Sequence, residues 1–155
     1  MRLHQIFKNN FLSENLTSNT KDEVLAELVG CLKNGGLKMD SAAAVAVLMQ
    51  REKLGSTGIG DGVAIPHGKL ENLDELVVAF GRSKKGIDFD AIDGKPVNLF
   101  FLLFAPENSA GQHLKTLAKI SKMLKMPNFR KKLMEARDKN DLYKVIIEQD
   151  ESCSL

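Results

Sequence analysis

Histidines are rare in this 155-residue chain, and one of them stands where an imidazole would be well presented for chemistry. His67 lies between Pro66 and Gly68, directly after a short apolar run. Proline stiffens the backbone before it, and glycine permits a sharp bend after it. We therefore expect His67 on a glycine-rich loop that faces solvent, where functional groups concentrate. The spacing alone fits a functional imidazole and an ordinary turn histidine equally well.

A second histidine, His113, falls in the first turn of a helix predicted over residues 110–125. It shares one helical stripe with Leu117, Ile120 and Leu124, which predicts that its ring faces the core. A hydrogen-bonded core histidine would explain that position. A helix N-terminus also suits an anion, because its free N–H groups carry positive dipole character. A strand end, a helix start and an imidazole together could hold a phosphoryl group.

The third candidate is Arg51, at the end of the second predicted helix and just before the glycine-rich stretch. Its guanidinium could form a planar fork around phosphate oxygens. A basic residue near a helix C-terminus is also favoured by helix electrostatics without any function. Both interpretations stay open from this residue alone.

The glycines at 58–62 do not form a nucleotide-binding loop. They lack the third glycine of the dinucleotide fingerprint, and they lead into Pro66 rather than into a helix. No Gly-Lys-Ser or Gly-Lys-Thr follows, so the segment is not a phosphate loop of the Walker type either. We expect neither a nucleotide cofactor nor any other cofactor.

Hydrophobic periodicity predicts the elements that must position these residues. Helices are expected from Thr20 or Asn19 to about residue 33, over 41–52 after Asp40 or Ser41, and over 110–125, 129–136 and 141–149. Strands are expected over 63–65, 75–81 and 97–104, and residues 1–19 form a docked segment or a short strand. The order predicts an α/β fold with a mixed, mainly parallel sheet between helical layers.

Several ends of these elements carry specific signals. Ser109 with Gln112 predicts a capping box for the third helix. Asn128 is the expected cap of the fourth helix, and Asn140 or Asp141 that of the last. The length fits one domain over residues 1–155, and the polar residues 150–155 are expected to fray.

Composition excludes several classes of protein. The 22 basic and 20 acidic residues balance to a net charge of +2, which argues against nucleic-acid binding. The longest apolar stretch, 97–106, is too short to span a bilayer, and the first residues lack a signal core. Cys31 and Cys153 predict neither a disulfide nor a zinc site. A cytoplasmic protein without membrane insertion is expected.

At this point the chain resembles a known family. GSTGIGDGVAIPHGK at 55–69 is similar to the active-site segment of the IIA domains of the bacterial phosphoenolpyruvate-dependent sugar phosphotransferase system. The similarity continues through Arg51-Glu52, FDAIDGKPVNLFFLLFAPE at 89–107 and HLKTLAKISKML at 113–124. It is strongest to the fructose/mannitol group, which includes the nitrogen-regulatory IIA proteins.

The resemblance implies a role for each candidate residue. His67 matches the histidine that is phosphorylated, and His113 matches a second histidine that assists by hydrogen bonding. Arg51 matches the arginine that faces the phosphoryl group. The resemblance also implies a phosphotransferase component that accepts its phosphoryl group from the carrier protein HPr or its nitrogen-branch equivalent, and an α/β sandwich fold.

Three outputs are possible at this stage, and we expect the first of them. A nitrogen-regulatory IIA would bind target proteins according to its phosphorylation state. A sugar-uptake IIA would pass the phosphoryl group to a separate IIB domain. A binding module with the same fold would never be phosphorylated, although the presence of Arg51, His67 and His113 argues against it. Nothing in the residues identifies a sugar, a downstream partner or an oligomeric state.

Overall fold

A computed structural model of the protein describes residues 2–153. The helices are α1 (Lys21–Asn34), α2 (Ser41–Lys53), α3 (Ala110–Leu124), α4 (Pro127–Glu135) and α5 (Lys139–Ser152). The strands are β1 (Leu12–Ser13), β2 (Gly58–Gly60), β3 (Val63–Ala64), β4 (His67–Leu70), β5 (Val77–Ile87) and β6 (Val97–Pro106). Two short 3₁₀ helices, Leu3–Gln5 and Asn9–Phe11, precede β1.

Helices α1 and α2 begin where the sequence predicts. The Thr20 hydroxyl accepts from the Glu23 amide at 3.2 Å, and the Glu23 carboxylate accepts from the Thr20 amide at 3.1 Å. The Asp40 carboxylate accepts from the Ala43 amide at 3.1 Å. Each cap satisfies a backbone N–H group that has no partner within the helix, so both predicted starts are confirmed.

Helix α3 follows Ser109 as predicted, but not through the predicted capping box. The Ser109 hydroxyl donates to the Pro106 carbonyl at 2.7 Å, and its side chain makes no hydrogen bond to the helix. The capping box with Gln112 is therefore wrong, because Ser109 closes the end of β6 instead. The free N–H groups in the first turn of α3 consequently receive no cap from Ser109.

The predicted starts of the last two helices are also wrong. Helix α4 begins at Pro127 itself, since proline suits the first helical position and Asn128 already lies inside the helix. Helix α5 begins after Asp138, whose carboxylate accepts from the Asp141 amide at 2.8 Å. Both errors move a boundary by a few residues and leave the helices themselves in place.

The sheet has the strand order β1-β5-β6-β3-β2, and β4 also pairs with β6. Strand β1 runs parallel to β5, and β3 and β4 run parallel to β6, whereas β5 and β6 are antiparallel to each other, as are β2 and β3. The mixed sheet is confirmed. Strand β5 continues to Ile87, beyond the predicted end at 81, because its far half still pairs with the start of β6.

Strand β6 forms the centre of the core, as its continuous apolar run predicts. Every residue of β6 except Asn98 is buried. Helix α1 packs on α2 and β5, whereas α3 and α4 pack on β6. The helical layers position two helix ends near the sheet: the C-terminus of α2 and the N-terminus of α3.

The predicted fraying of residues 150–155 is wrong for 150–153, and 154–155 lie outside the described residues. Helix α5 continues to Ser152, and Asp150 is fully buried. The Asp150 carboxylate pairs with Lys119 of α3 and accepts from the Leu3 amide at 2.8 Å. A buried carboxylate with two partners holds the end of the chain against α3 and the N-terminal segment.

No helix among residues 2–153 is long and apolar enough to cross a bilayer. The most apolar stretch of the sequence forms β6 within the sheet. Both cysteines are free: Cys153 is buried and Cys31 is partly buried.

Candidate functional site

His67 occupies the first position of a strand rather than the glycine-rich bend that the sequence predicts. Residues 63–70 run alongside β6 in two short strands, β3 and β4, which Ile65 and Pro66 separate. His67 pairs in register with Leu103 of β6, and its side chain is half-buried. The proline interrupts the ladder since it has no N–H group, and pairing resumes at the histidine. The buried centre of the sheet thus fixes the backbone of His67.

A backbone carbonyl fixes the orientation of the His67 ring. Nδ1 of His67 lies 2.8 Å from the carbonyl oxygen of Ile65. A carbonyl only accepts hydrogen bonds, so Nδ1 carries the proton in this arrangement. Nε2 of the neutral ring then carries the lone pair. His67 therefore presents Nε2 as its nucleophilic and basic atom.

His113 faces His67 across the site. The two ring centroids are 5.5 Å apart, and the rings meet edge to face at 78°. His113 is buried, which confirms the prediction that its ring turns toward the core side of α3. Its Nε2 is buried without a hydrogen-bond partner among the described residues. An unpartnered buried ring nitrogen beside a second imidazole is unfavourable in isolation, so this atom is suited to bonding a group that enters the site.

Arg51 reaches the same site from the C-terminus of α2. Val47 lies one turn earlier on α2 and packs against Gly68, which places that face of the helix over the start of β4. Nη1 of Arg51 donates to the Gly55 carbonyl at 2.8 Å, so the residue also stabilises the turn after α2. Its positive charge also lowers the pKa of His67, so the guanidinium acts on the site, and its contact with a phosphoryl group stays a prediction.

Contact between α2 and β4 depends on the absence of a side chain at Gly68. A Cβ atom at this position would overlap Cγ1 of Val47. The backbone of Gly68 is not left-handed, so the requirement is steric rather than conformational. The stiff, β-branched Val47 has little freedom to turn away.

Replacing Gly68 with alanine is expected to lower the free energy of unfolding by about 1–3 kcal/mol, because it forces α2 away from β4. Urea unfolding measures this change. The double variant Gly68→Ala/Val47→Ala should recover part of the loss, since it removes the clashing methyl group. Gly30→Ala is the matched control, because a Cβ there meets nothing within 4 Å. An equal loss in the single and the double variant would contradict the steric explanation.

A polar network, which the sequence hardly indicates, supports the turn between Arg51 and β2. The Glu52 side chain is buried, and its carboxylate accepts from the amide of Thr57 at 3.0 Å and from the Thr57 hydroxyl. Lys21 of α1 pairs with the same carboxylate at 3.0 Å and lies over the Phe89 ring at 4.7 Å. The ion pair with Lys21 compensates the buried charge of Glu52. The hydrogen bonds to Thr57 fix the backbone that follows Arg51. The Arg51-Glu52 pair in the sequence is the only signal that pointed to it.

Burial keeps both histidines of the site neutral. Burial lowers the pKa of His67, and the positive charge of Arg51 lowers it further. The hydrogen bond to the Ile65 carbonyl and the charge of Glu52 raise this pKa, but the net change is a decrease. Burial also lowers the pKa of His113, with smaller contributions from His67 and Lys69. Both rings therefore stay unprotonated at neutral pH, and a neutral imidazole is the form that attacks an electrophile.

These pKa directions predict how the protein responds to pH. Because the folded state disfavours the protonated rings, the unfolded state binds more protons over the interval below about 6.5. The stability that the neutral rings contribute is fully present above about pH 6.5. It is lost as the pH falls below that point through the lower pKa values of the two rings in the folded protein. Proton NMR should show His67 and His113 titrating below about 6.5. Titration of either ring above that value would contradict the effect of burial.

A His67→Gln variant is the control for this pH dependence. It should lose less stability than the parent protein when urea unfolding is compared at neutral and mildly acidic pH. An identical loss in the two proteins would show that His67 does not contribute.

The sequence matches a family model over residues 5–149. The family is described as "Phosphoenolpyruvate-dependent sugar phosphotransferase system, EIIA 2". The match includes all three site residues, Arg51, His67 and His113. It also includes the whole of the sheet and α3.

Two curated proteins and one solved structure illustrate the similarity. A nitrogen regulatory protein of Bradyrhizobium diazoefficiens is 46% identical over 132 residues, which are 84% of this chain and 85% of that protein. The fructose-specific EIIABC component of Bacillus subtilis is 34% identical over 150 residues, 97% of this chain but 24% of that longer protein. The crystal structure of nitrogen regulatory protein IIA-Ntr from Neisseria meningitidis has a TM-score of 0.85 at 33% identity and covers 92% of this chain and 97% of that one.

Proposed function

The chain belongs to the EIIA 2 family of the phosphoenolpyruvate-dependent sugar phosphotransferase system, and from this premise we propose that it is a cytoplasmic phosphocarrier. His67 accepts a phosphoryl group from a phosphohistidine on HPr or on its nitrogen-branch equivalent. Residues 1–155 act as a single domain in this reaction. The observation that carries the proposal is the pair of His67, with its free Nε2, and His113, with its unpartnered Nε2.

Transfer begins with the lone pair of His67 Nε2. It attacks the phosphorus of the donor's phosphohistidine, so a bond forms between Nε2 and phosphorus while the donor's nitrogen–phosphorus bond breaks. The electron pair of the broken bond returns to the donor's imidazole. The proton on Nδ1 of His67 stays in its hydrogen bond to Ile65, so no separate base is needed. The reverse of the same step passes the group to an acceptor.

Three features of the site stabilise the negative charge on the phosphoryl group during transfer. Nε2 of His113, as an N–H group, donates to a phosphoryl oxygen. The guanidinium of Arg51 supplies positive charge, and the N-terminus of α3 adds free amides and its dipole. Phosphoryl transfer depends mainly on positioning and on charge stabilisation, which these groups provide.

Exposed apolar side chains mark a surface suited to docking the donor protein. Leu54 follows Arg51 at the end of α2 and is 85% exposed, and Leu114 follows His113 and is 68% exposed. Ile92, 77% exposed, lies in the loop that hydrogen-bonds to β2. Large exposed apolar residues grouped around a site favour protein contact, because burying them stabilises a complex.

Nitrogen regulation is the output that the comparisons favour. The Bradyrhizobium protein carries that role in its name and is similar over 84% of this chain. A phosphorylation-dependent regulator would bind its targets differently in its two states. The alternative is a sugar-uptake IIA that hands the group to a separate IIB domain, as the similarity to a fructose-specific component permits.

A reconstituted phosphotransfer assay tests the proposal. The protein is mixed with phosphoenolpyruvate, enzyme I and either HPr or the nitrogen-branch carrier, and acid-labile phosphate is followed by mass spectrometry. We expect one phosphoryl group on the parent protein and none on His67→Ala. His4→Ala is the matched control, because His4 is an exposed histidine outside the site, and it should be labelled normally. Labelling of His67→Ala, or no labelling of the parent protein by either donor, would refute phosphorylation at His67.

A further inference from the structure

Positive charge is concentrated in one segment of the chain, which begins two residues after His113 and continues through α3 and α4. Residues 115–139, which include most of α3 and all of α4, contain nine lysines and arginines and two acidic residues. The remainder of the chain contains thirteen basic and eighteen acidic residues. The small net charge of the whole protein therefore hides a strongly basic segment on an otherwise acidic molecule.

A cleft of about 750 Å³ lies where α3 meets α4, and we call it the basic cleft. Lys122, Lys125 and Lys132 line it, and all three are exposed. Met126 and Pro127 give it an apolar part. The Gln149 amide of α5 donates to Sδ of Met126 at 2.9 Å, which holds the methionine in place.

Contacts within the fold engage only part of this positive charge. Lys119 pairs with the buried Asp150, Arg130 donates to the Leu124 carbonyl at 2.7 Å, Arg137 pairs with Asp141 at 3.8 Å, and Lys122 also has a partner. Like charges at helical spacing repel one another and destabilise the helices that carry them. Lysines gathered around a concave surface with an apolar part are typical of a site for an anionic partner.

We propose that the basic cleft binds an acidic segment of a partner protein, in which carboxylates flank an apolar side chain. The lysines pair with the carboxylates, and the apolar side chain packs against Met126 and Pro127. Lysine suits this role because its charge does not require the fixed planar geometry that an arginine fork imposes.

Other anionic partners fit the cleft less well. The aromatic residue that lines it, Phe129, is buried, so no ring is available there for stacking with nucleic-acid bases. A long polyanion would also meet the excess of acidic residues on the rest of the molecule. A membrane surface is planar, whereas the lysines surround a concavity with one partly exposed methionine.

The basic cleft goes beyond the proposed phosphotransfer, because it is remote from His67. Lys122 lies nine residues after His113 on α3, which is about 13 Å along the helix axis. A partner in the cleft can therefore remain bound while His67 is phosphorylated. Such a surface gives a regulated target a second contact besides the apolar residues around the phosphotransfer site.

Fluorescence anisotropy with a defined peptide tests the proposal. The probe is a labelled peptide of glutamate pairs separated by leucines, and its control has glutamine in place of every glutamate. We expect the glutamate peptide to bind and the glutamine peptide not to bind. The variant K122E/K125E/K132E should bind the glutamate peptide at least about tenfold more weakly.

Matched variants separate the cleft from net charge and from folding. K33E/K38E/K84E changes the net charge equally at exposed lysines outside the cleft and should weaken binding less than about threefold. K122Q/K125Q/K132Q repeats the test without introducing repulsion. Equal losses in the two glutamate variants, or no binding of the peptide, would overturn the proposal. Tighter binding of duplex DNA or of phosphatidylserine vesicles than of the peptide would also overturn it.

Phosphorylation of His67 is measured on the same variants, so that a failure of the cleft proposal can be distinguished from a failure of the phosphotransfer proposal. The cleft variants should accept a phosphoryl group at the parent rate. Slower labelling of the cleft variants, with the control variant unaffected, would assign the basic cleft to the phosphotransfer site and overturn its role as a separate surface. Normal labelling with lost peptide binding supports the cleft independently of the donor.

Discussion

Replacing His113 with alanine is expected to slow phosphoryl transfer to His67 by about 10²–10³-fold, while His67 remains the labelled residue. The reason is the buried Nε2 of His113, which has no partner among the described residues and belongs to a ring whose centroid lies 5.5 Å from that of His67. A donor held in place before the reaction stabilises charge as it develops, without reorganising. Rapid-quench labelling from the phosphorylated donor measures the rate.

The variant His113→Gln separates hydrogen bonding from packing. Its amide N–H group can still donate, so we expect it to recover part of the rate that alanine loses. Gln112→Ala is the neighbouring control, because it removes an exposed side chain outside the proposed docking surface and leaves both rings unchanged. A His113→Ala protein that is folded and transfers at the parent rate would show that His113 is only a core histidine.

Replacing Asp150 with alanine is expected to lower the free energy of unfolding by about 3–5 kcal/mol. The substitution removes the buried carboxylate that pairs with Lys119 and leaves the Leu3 amide without this acceptor. Removing one partner of a buried ion pair is more harmful than removing both. Urea unfolding followed by circular dichroism measures the change.

A double variant tests this explanation. Asp150→Leu with Lys119→Met replaces both charges with apolar groups and should recover most of the stability that the single alanine variant loses. Glu151→Ala is the control, because Glu151 is exposed next to Asp150. A loss below about 1 kcal/mol in Asp150→Ala, comparable to a surface pair, would contradict the buried role.

Local residue patterns were sufficient to predict the order of the helices, the mixed sheet and the family, which the comparisons confirm. The apolar run of β6 predicts a central strand because a strand covered on both faces has no polar side. The residues around His67 have a distinctive local pattern, Pro66-His67-Gly68, which identified the histidine as a candidate but wrongly predicted a bend at the start of β4.

Long-range partners account for what the sequence could not predict. Asp150 stands in a polar run that looks like a frayed end, but its partner at Leu3 is 147 residues away in the chain. The orientation of the His67 ring depends on the Ile65 carbonyl, and every residue has a carbonyl, so no residue type signals it. The start of β4 at His67 likewise depends on pairing with β6 rather than on local propensity.

Nitrogen-detected NMR of the phosphorylated protein is the most direct test of the central claim, that Nε2 of His67 accepts the phosphoryl group. The protein is labelled with nitrogen-15 in its histidines and phosphorylated through phosphoenolpyruvate, enzyme I and the donor carrier. We predict coupling between phosphorus and Nε2 of His67, with Nδ1 still protonated toward Ile65. Phosphorus coupled to Nδ1 of His67, or to His113, would contradict the account.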